Sequence, residues 1–151
     1  MGEILRMEGI TKEFPGVLAN DRIDLYVREG EILALLGENG SGKTTLMNIL
    51  YGLYKPDKGK IYINNQEVEI NSPSDAIGLG IGMIHQHFML IPILTVTQNI
   101  ILGAEPRNGM KLDLKTAREK IIKLSERYNL QIDPDAYVWQ LSVGQQQRVE
   151  I

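Results

Sequence analysis

Residues Gly37, Glu38, Asn39, Gly40, Ser41, Gly42, Lys43, Thr44 and Thr45 form an unbroken G-x-x-x-x-G-K-[ST] phosphate-binding loop. An apolar run (Ile32, Leu33, Ala34, Leu35, Leu36) feeds it, and a helical pattern (Leu46, Met47, Ile49, Leu50) leaves it. That context makes the motif meaningful, because the loop works only between a strand and a helix. Gly37, Gly40 and Gly42 permit a tight turn that brings backbone N–H groups close to an anion. The start of the following helix adds partial positive charge at the same point. Lys43 is placed to reach β- and γ-phosphates, and the Thr44 hydroxyl to hold Mg²⁺. The loop predicts binding of a nucleoside triphosphate.

Composition sets loose limits around that reading. With 151 residues and 43% hydrophobic content, the chain is long enough for a real core. A formal charge of −3 without a basic run argues against a nucleic-acid surface. With no cysteine, a disulfide framework and a Cys-ligated zinc site are excluded. No run is long enough to span a membrane, and the first residues lack the apolar stretch of a signal peptide. Work at a membrane would therefore go through a partner.

The periodicity predicts an α/β chain. Short strands are expected at residues 4–7 and 60–63, and alternation of Ile23, Leu25 and Val27 with Asp24 and Tyr26 predicts a half-buried strand. Runs 32–36 and 81–85 are apolar without alternation, as in strands covered on both faces. Helices are expected at 43–51, from Ser72-Pro73 through Gly78, from Thr95 to Leu102, and from Asp113 onward. Leu114, Ala117, Ile121, Leu124 and Tyr128 step by three and four and predict the buried face of that last helix. Residues 78–82 contain three glycines without the G-x-G-x-x-G spacing, so they read as a helix stop.

The second informative stretch is Leu141, Ser142, Val143, Gly144, Gln145, Gln146, Gln147 and Arg148. Ser142 with Gln145 three residues on is a capping box, so a helix is expected to start there, with its N-terminus as a second anion site. Taken with the phosphate loop, this stretch resembles the signature of the ATP-binding cassette family, usually Leu-Ser-Gly-Gly-Gln. The chain departs at Val143, where a glycine is usual. Phe14 resembles the aromatic that stacks on adenine in that family. Gln86 resembles its glutamine at the joint between core and helical subdomain, which touches Mg²⁺ or the attacking water. His85 and His87 flank Gln86 with i, i+2 spacing, too few ligands for a metal site of their own.

The resemblance covers the chain from Ile4 to Ile151 and is similar to the first two-thirds of one such domain. It implies a phosphate-loop NTPase fold of the ABC type, with an ATP-binding core over 1–87 and a helical subdomain over 88–151. It further implies ATP and Mg²⁺ as ligands, with Lys43 and Gln86 in catalysis and Thr44 and Gln86 toward the metal. Phe14 and residues 37–45 would hold the chain's own ATP. Ser142, Gly144 and Gln145 would face the ATP of a second nucleotide-binding domain. The stretches around Gln86 and Ser142 look similar to simple-sugar and nucleoside importers. The expected partners are then transmembrane permease subunits and, indirectly, an extracytoplasmic solute-binding protein, at the cytoplasmic face of the membrane. The family's catalytic aspartate, glutamate and switch histidine would lie past residue 151, so residues 1–151 alone are expected not to hydrolyse ATP. Without the strands that carry them, runs 32–36 and 81–85 are expected to lack partners in the sheet.

Three other loop-bearing classes fit less well. A GTP-binding switch needs an Asn-Lys-x-Asp motif, which does not occur, and a small-molecule kinase has no use for residues 141–148. A soluble cassette ATPase of DNA repair or translation is closer, but the repair and chromosome-organising members insert long coiled coils or zinc modules between the positions of Gln86 and Ser142, where this chain is short and free of cysteine.

Overall fold

The computed structural model describes residues 2–85, 89–108 and 111–151. The chain divides into two compact units, 1–83 and 84–151. In the first, β1 (Glu3–Phe14) and β2 (Val17–Arg28) form a long antiparallel hairpin. β3 (Lys58–Ile63) and β4 (Gln66–Val68) extend it to a four-stranded sheet in the order β2-β1-β3-β4. The register between β1 and β2 slips between Met7 and Ile10. Gly9 stands in that slip at φ 59°, and its N–H donates to Asp24 Oδ1 at 2.6 Å. The extra residue re-phases the strand, so Met7 and Ile10, three apart, are both fully buried.

Two helices complete this unit. α1 (Lys43–Leu50) buries Leu46 and Ile49 in one cluster with Met7, Ile10, Ile61, Ile70 and Ala76. The last of these lies on α2 (Pro73–Gly78), which starts as expected: Pro73 occupies the first turn and Ser72 Oγ accepts from Asp75 N. Residues 32–36 and 81–85, expected as buried strands, are in no strand. Ile32 is 99% exposed and Leu36 89% exposed, so the first run is not covered, while in the second Ile81 is partly buried against the core cluster. An all-apolar strand is a strand only when neighbours pair it on the ladder, and these residues have none among those described. Their coil state is the outcome expected for runs without partner strands.

The second unit is mostly helical. α3 (Val96–Ile101) opens with a full capping box: Thr95 Oγ1 accepts from Gln98 N, and Gln98 Oε1 accepts from Thr95 N. After the short pair β5 (Arg107–Asn108) and β6 (Lys111–Leu112) comes α4 (Leu114–Arg127), N-capped by Asp113 through Thr116 N. Its buried face is Ala117, Ile121 and Ser125, while Leu124 is 51% and Tyr128 59% exposed. The expected stripe is therefore right in its middle, at Ala117 and Ile121, and wrong at both ends, since Leu114 is 40% exposed as well. Steps of four keep to one side here, and Ser125 fits because its Oγ accepts from Ile132 N at 3.0 Å. A single helical turn, Val138–Gln140, then leads to α5 (Val143–Glu150). No helix among the described residues is long and apolar enough to cross a membrane.

Candidate functional site

The phosphate loop runs from the coil after β2 into α1, and its shape rests on two glycines. Gly40 and Gly42 both adopt φ 83°, a left-handed conformation that L side chains rarely take. Gly42 is also boxed in: a Cβ there would run into the Ala19 carbonyl oxygen. Below it, Asn20 is 4% exposed and its Nδ2 donates to Gly42 O at 3.2 Å. Gly42 is the N-cap of α1 and provides no side-chain cap, so the free N–H groups of the first turn stay available to an anion.

Lys43 bridges the loop it belongs to. Its Nζ donates to Gly37 O at 2.8 Å, Glu38 O at 2.7 Å and Ser41 Oγ at 3.2 Å. A Cβ on Gly37 would meet Ser41 Oγ at 2.8 Å and come within 3.7 Å of that ammonium. The glycine thus keeps open a small cradle with a full positive charge beside it. All these neutral acceptors are exposed and easily hydrated. A phosphate offers the ammonium stronger, charge-assisted bonds than they do. Thr44 is exposed at the start of α1, with an oxygen suited to a hard cation such as Mg²⁺.

Phe14 ends β1 and is half-buried, packed edge-on against Tyr54 with ring centroids 5.4 Å apart at 75°. Lys12 Nζ lies 5.6 Å from the Phe14 centroid. The lysine is held by Asp57 Oδ1 at 2.9 Å, while Asp57 Oδ2 accepts from Glu13 N at 2.7 Å. The Glu13 amide first, and then the Lys12 ammonium, hold the Asp57 carboxyl below its usual range. The sequence singles out Phe14, whereas no local pattern marks its neighbours Tyr54, Lys12 and Asp57.

In the second unit, Ser142 stands at the N-cap of α5 in a capping box with Gln145, as expected. Gln145 Oε1 accepts both from Ser142 N at 2.8 Å and from Ser142 Oγ at 2.9 Å. Gln146 Nε2 ties the same corner to Leu141 O at 3.1 Å. Ser142, Val143 and Gly144 are all exposed, Val143 to 71%. The valine sits in open space at the helix start, so it does not disturb the corner. Gln86 and His87 lie outside the described residues, and with them the expected role of Gln86. No group of three His, Cys, Asp or Glu side chains among the described residues is placed to hold a metal.

Comparison with known proteins covers nearly the whole chain. The profile of the family described as ABC transporter matches residues 20–151. The nucleoside import ATP-binding protein NupA of Lactococcus lactis subsp. cremoris (strain MG1363) is 56% identical over 148 residues, covering 98% of this chain and 29% of NupA. The guanosine import ATP-binding protein NupO of Bacillus subtilis (strain 168) is 54% identical over the whole chain and 30% of its own length. A nucleotide-free ATP-binding cassette from an ABC transporter superposes with a TM-score of 0.83 at 31% identity, over 99% of this chain and 63% of that one. The chain thus spans about a third or less of the curated relatives it matches.

Proposed function

We propose, for a chain that belongs to the ABC transporter family and has the fold of its phosphate-loop ATPase cassettes, that the protein binds ATP and couples its hydrolysis to import of a small solute. The observation that carries this reading is the loop at Gly37–Thr45: two left-handed glycines, an uncapped helix start and a lysine ammonium held at the mouth of the cradle. The triphosphate would lie along the loop N–H groups. Lys43 would leave Gly37 O and Glu38 O for the β- and γ-phosphates, and Phe14 would stack on the base. Thr44, with Gln86, would hold Mg²⁺, which when bound supplies charge neutralisation for the phosphates. Glu38, Asn39, Ser41 and Thr45 complete the cradle.

The remaining assignments extend this reading. Residues 1–87 would form the ATP-binding core and 88–151 the helical subdomain. Ser142, Gly144 and Gln145 would face the ATP of a second nucleotide-binding domain. Permease subunits would carry the solute path, served by an extracytoplasmic solute-binding protein, with the ATPase peripheral at the cytoplasmic face. Two relatives named for nucleoside and guanosine import, at 56% and 54% identity, favour a nucleoside over a simple sugar as cargo. Co-purification with a permease, followed by ATPase assays in liposomes, tests this. Guanosine is expected to stimulate turnover, and stimulation by ribose alone would move the cargo to sugars.

Two smaller outcomes follow from the same geometry. Phe14→Ala is expected to weaken ATP binding about 5-fold, because one aromatic stack contributes roughly 1 kcal/mol beyond its area. Calorimetric titration measures it, and an unchanged affinity removes Phe14 from the base site. Residues 1–151 by themselves are expected to release no phosphate above background, since runs 32–36 and 81–85 stand outside any ladder. Measured turnover by that piece would show that its catalytic groups lie elsewhere than this reading puts them.

A further inference from the structure

The end of β1 is gripped by one residue that the site described so far does not use. Asp57 lies in the turn before β3 and takes hold of three successive residues of β1. Its N–H donates to Thr11 O at 2.9 Å, its Oδ1 accepts from Lys12 Nζ at 2.9 Å, and its Oδ2 accepts from Glu13 N at 2.7 Å. The next residue is Phe14. The Lys12 side chain is only 16% exposed, so the ammonium is pinned against the sheet by this carboxylate and directed over the Phe14 ring, 5.6 Å from its centroid. Tyr54, three residues before Asp57, packs its ring against Phe14 from the same turn. One short segment therefore holds the strand up to the residue before the aromatic through Asp57, and the ring itself through Tyr54.

The geometry points to Asp57 as a positioning residue for the base subsite, acting on the nucleotide through Phe14 and Lys12; this rests on the ATP-binding reading above. A phenyl ring at the end of a hairpin would otherwise move with the strand end, and binding a base would have to order it. Holding Thr11, Lys12 and Glu13 in advance removes that cost from the binding step. The clamp touches nothing that holds phosphate. Its effect should therefore fall on ligands that carry a base and spare those that do not.

The test measures dissociation constants of Mg·ATP and of Mg·tripolyphosphate, with thermal midpoints, for the full-length protein and its Asp57 and Lys43 variants. Asp57→Ala is expected to weaken ATP about 5-fold, the loss expected from a mispositioned aromatic stack, while tripolyphosphate stays within about twofold of wild type. Asp57→Asn keeps an acceptor for Glu13 N and is expected to recover most of the ATP affinity. Equal losses for both ligands, or no loss for either, would overturn the positioning role, and so would an Asn variant no better than Ala. Failure of the underlying reading looks different: Lys43→Ala would then leave both ligands bound as in wild type.

Discussion

Lys43→Ala is expected to lower the affinity for Mg·ATP by about 100-fold, close to 3 kcal/mol, with little change in thermal stability. The size follows from an exchange. In this structure the ammonium has three partners, Gly37 O, Glu38 O and Ser41 Oγ, at 2.7 to 3.2 Å. On binding it gives up neutral acceptors for charged phosphate oxygens, and each charge-assisted bond is worth roughly twice a neutral one. The gain is the difference, so the loss is large without being the gross energy of several bonds. Stability should barely move, because the abandoned carbonyls are exposed and water replaces the lysine. Lys43→Arg is expected to remain impaired, since a planar fork cannot meet three acceptors spread around a point charge. Binding of a fluorescent ATP analogue within threefold of wild type by the alanine variant would dismiss the loop as the ATP site.

Ser142→Arg is expected to abolish ATP hydrolysis in the assembled transporter, by about 100-fold or more, while leaving ATP binding at residues 37–45 intact. Ser142 opens α5, where unsatisfied N–H groups and the helix dipole favour an anion. On the proposed reading that anion belongs to the ATP of a partner domain, which closure would place between two helix starts and out of water. Preorganised donors in such a site act on charge that develops during reaction, and losing one costs about 100-fold or more. An arginine there adds bulk on an exposed corner and a positive charge at the wrong end of the helix. Loss of the cap itself would cost only about 1 kcal/mol of helix stability, and Ser142→Thr, which keeps a hydroxyl, controls for it. Normal turnover by the arginine variant would sink the shared-site idea.

What could be read directly from the chain is what short stretches decide by themselves. The loop at residues 37–45, the helix behind it, and the helix starts at Ser72, Thr95, Asp113 and Ser142 all appear where the residues place them. Each depends on φ preferences or on a side chain reaching a backbone group within three or four residues, so the information is local. The apolar runs 32–36 and 81–85 show the opposite case. Their composition reports that they suit a buried strand, but a ladder needs a partner from elsewhere in space, and in this structure they remain coil. On α4, the stripe drifted because burial of Ser125, and exposure of Leu124 and Tyr128, depend on what packs against each side.

The surroundings of Phe14 were decided by tertiary structure alone. The residue suggested a stacking ring, but its setting comes from Tyr54 and Asp57, some forty positions away in the chain. No local pattern marks a carboxylate that will meet two side-by-side groups on another strand, because only the pairing of β1 with β3 brings the turn before β3 to that strand end. The same holds for Asn20 beneath Gly42, a contact across 22 positions. Turn and cap chemistry is written in consecutive residues, whereas the support of the loop and the ring is set by which strands become neighbours.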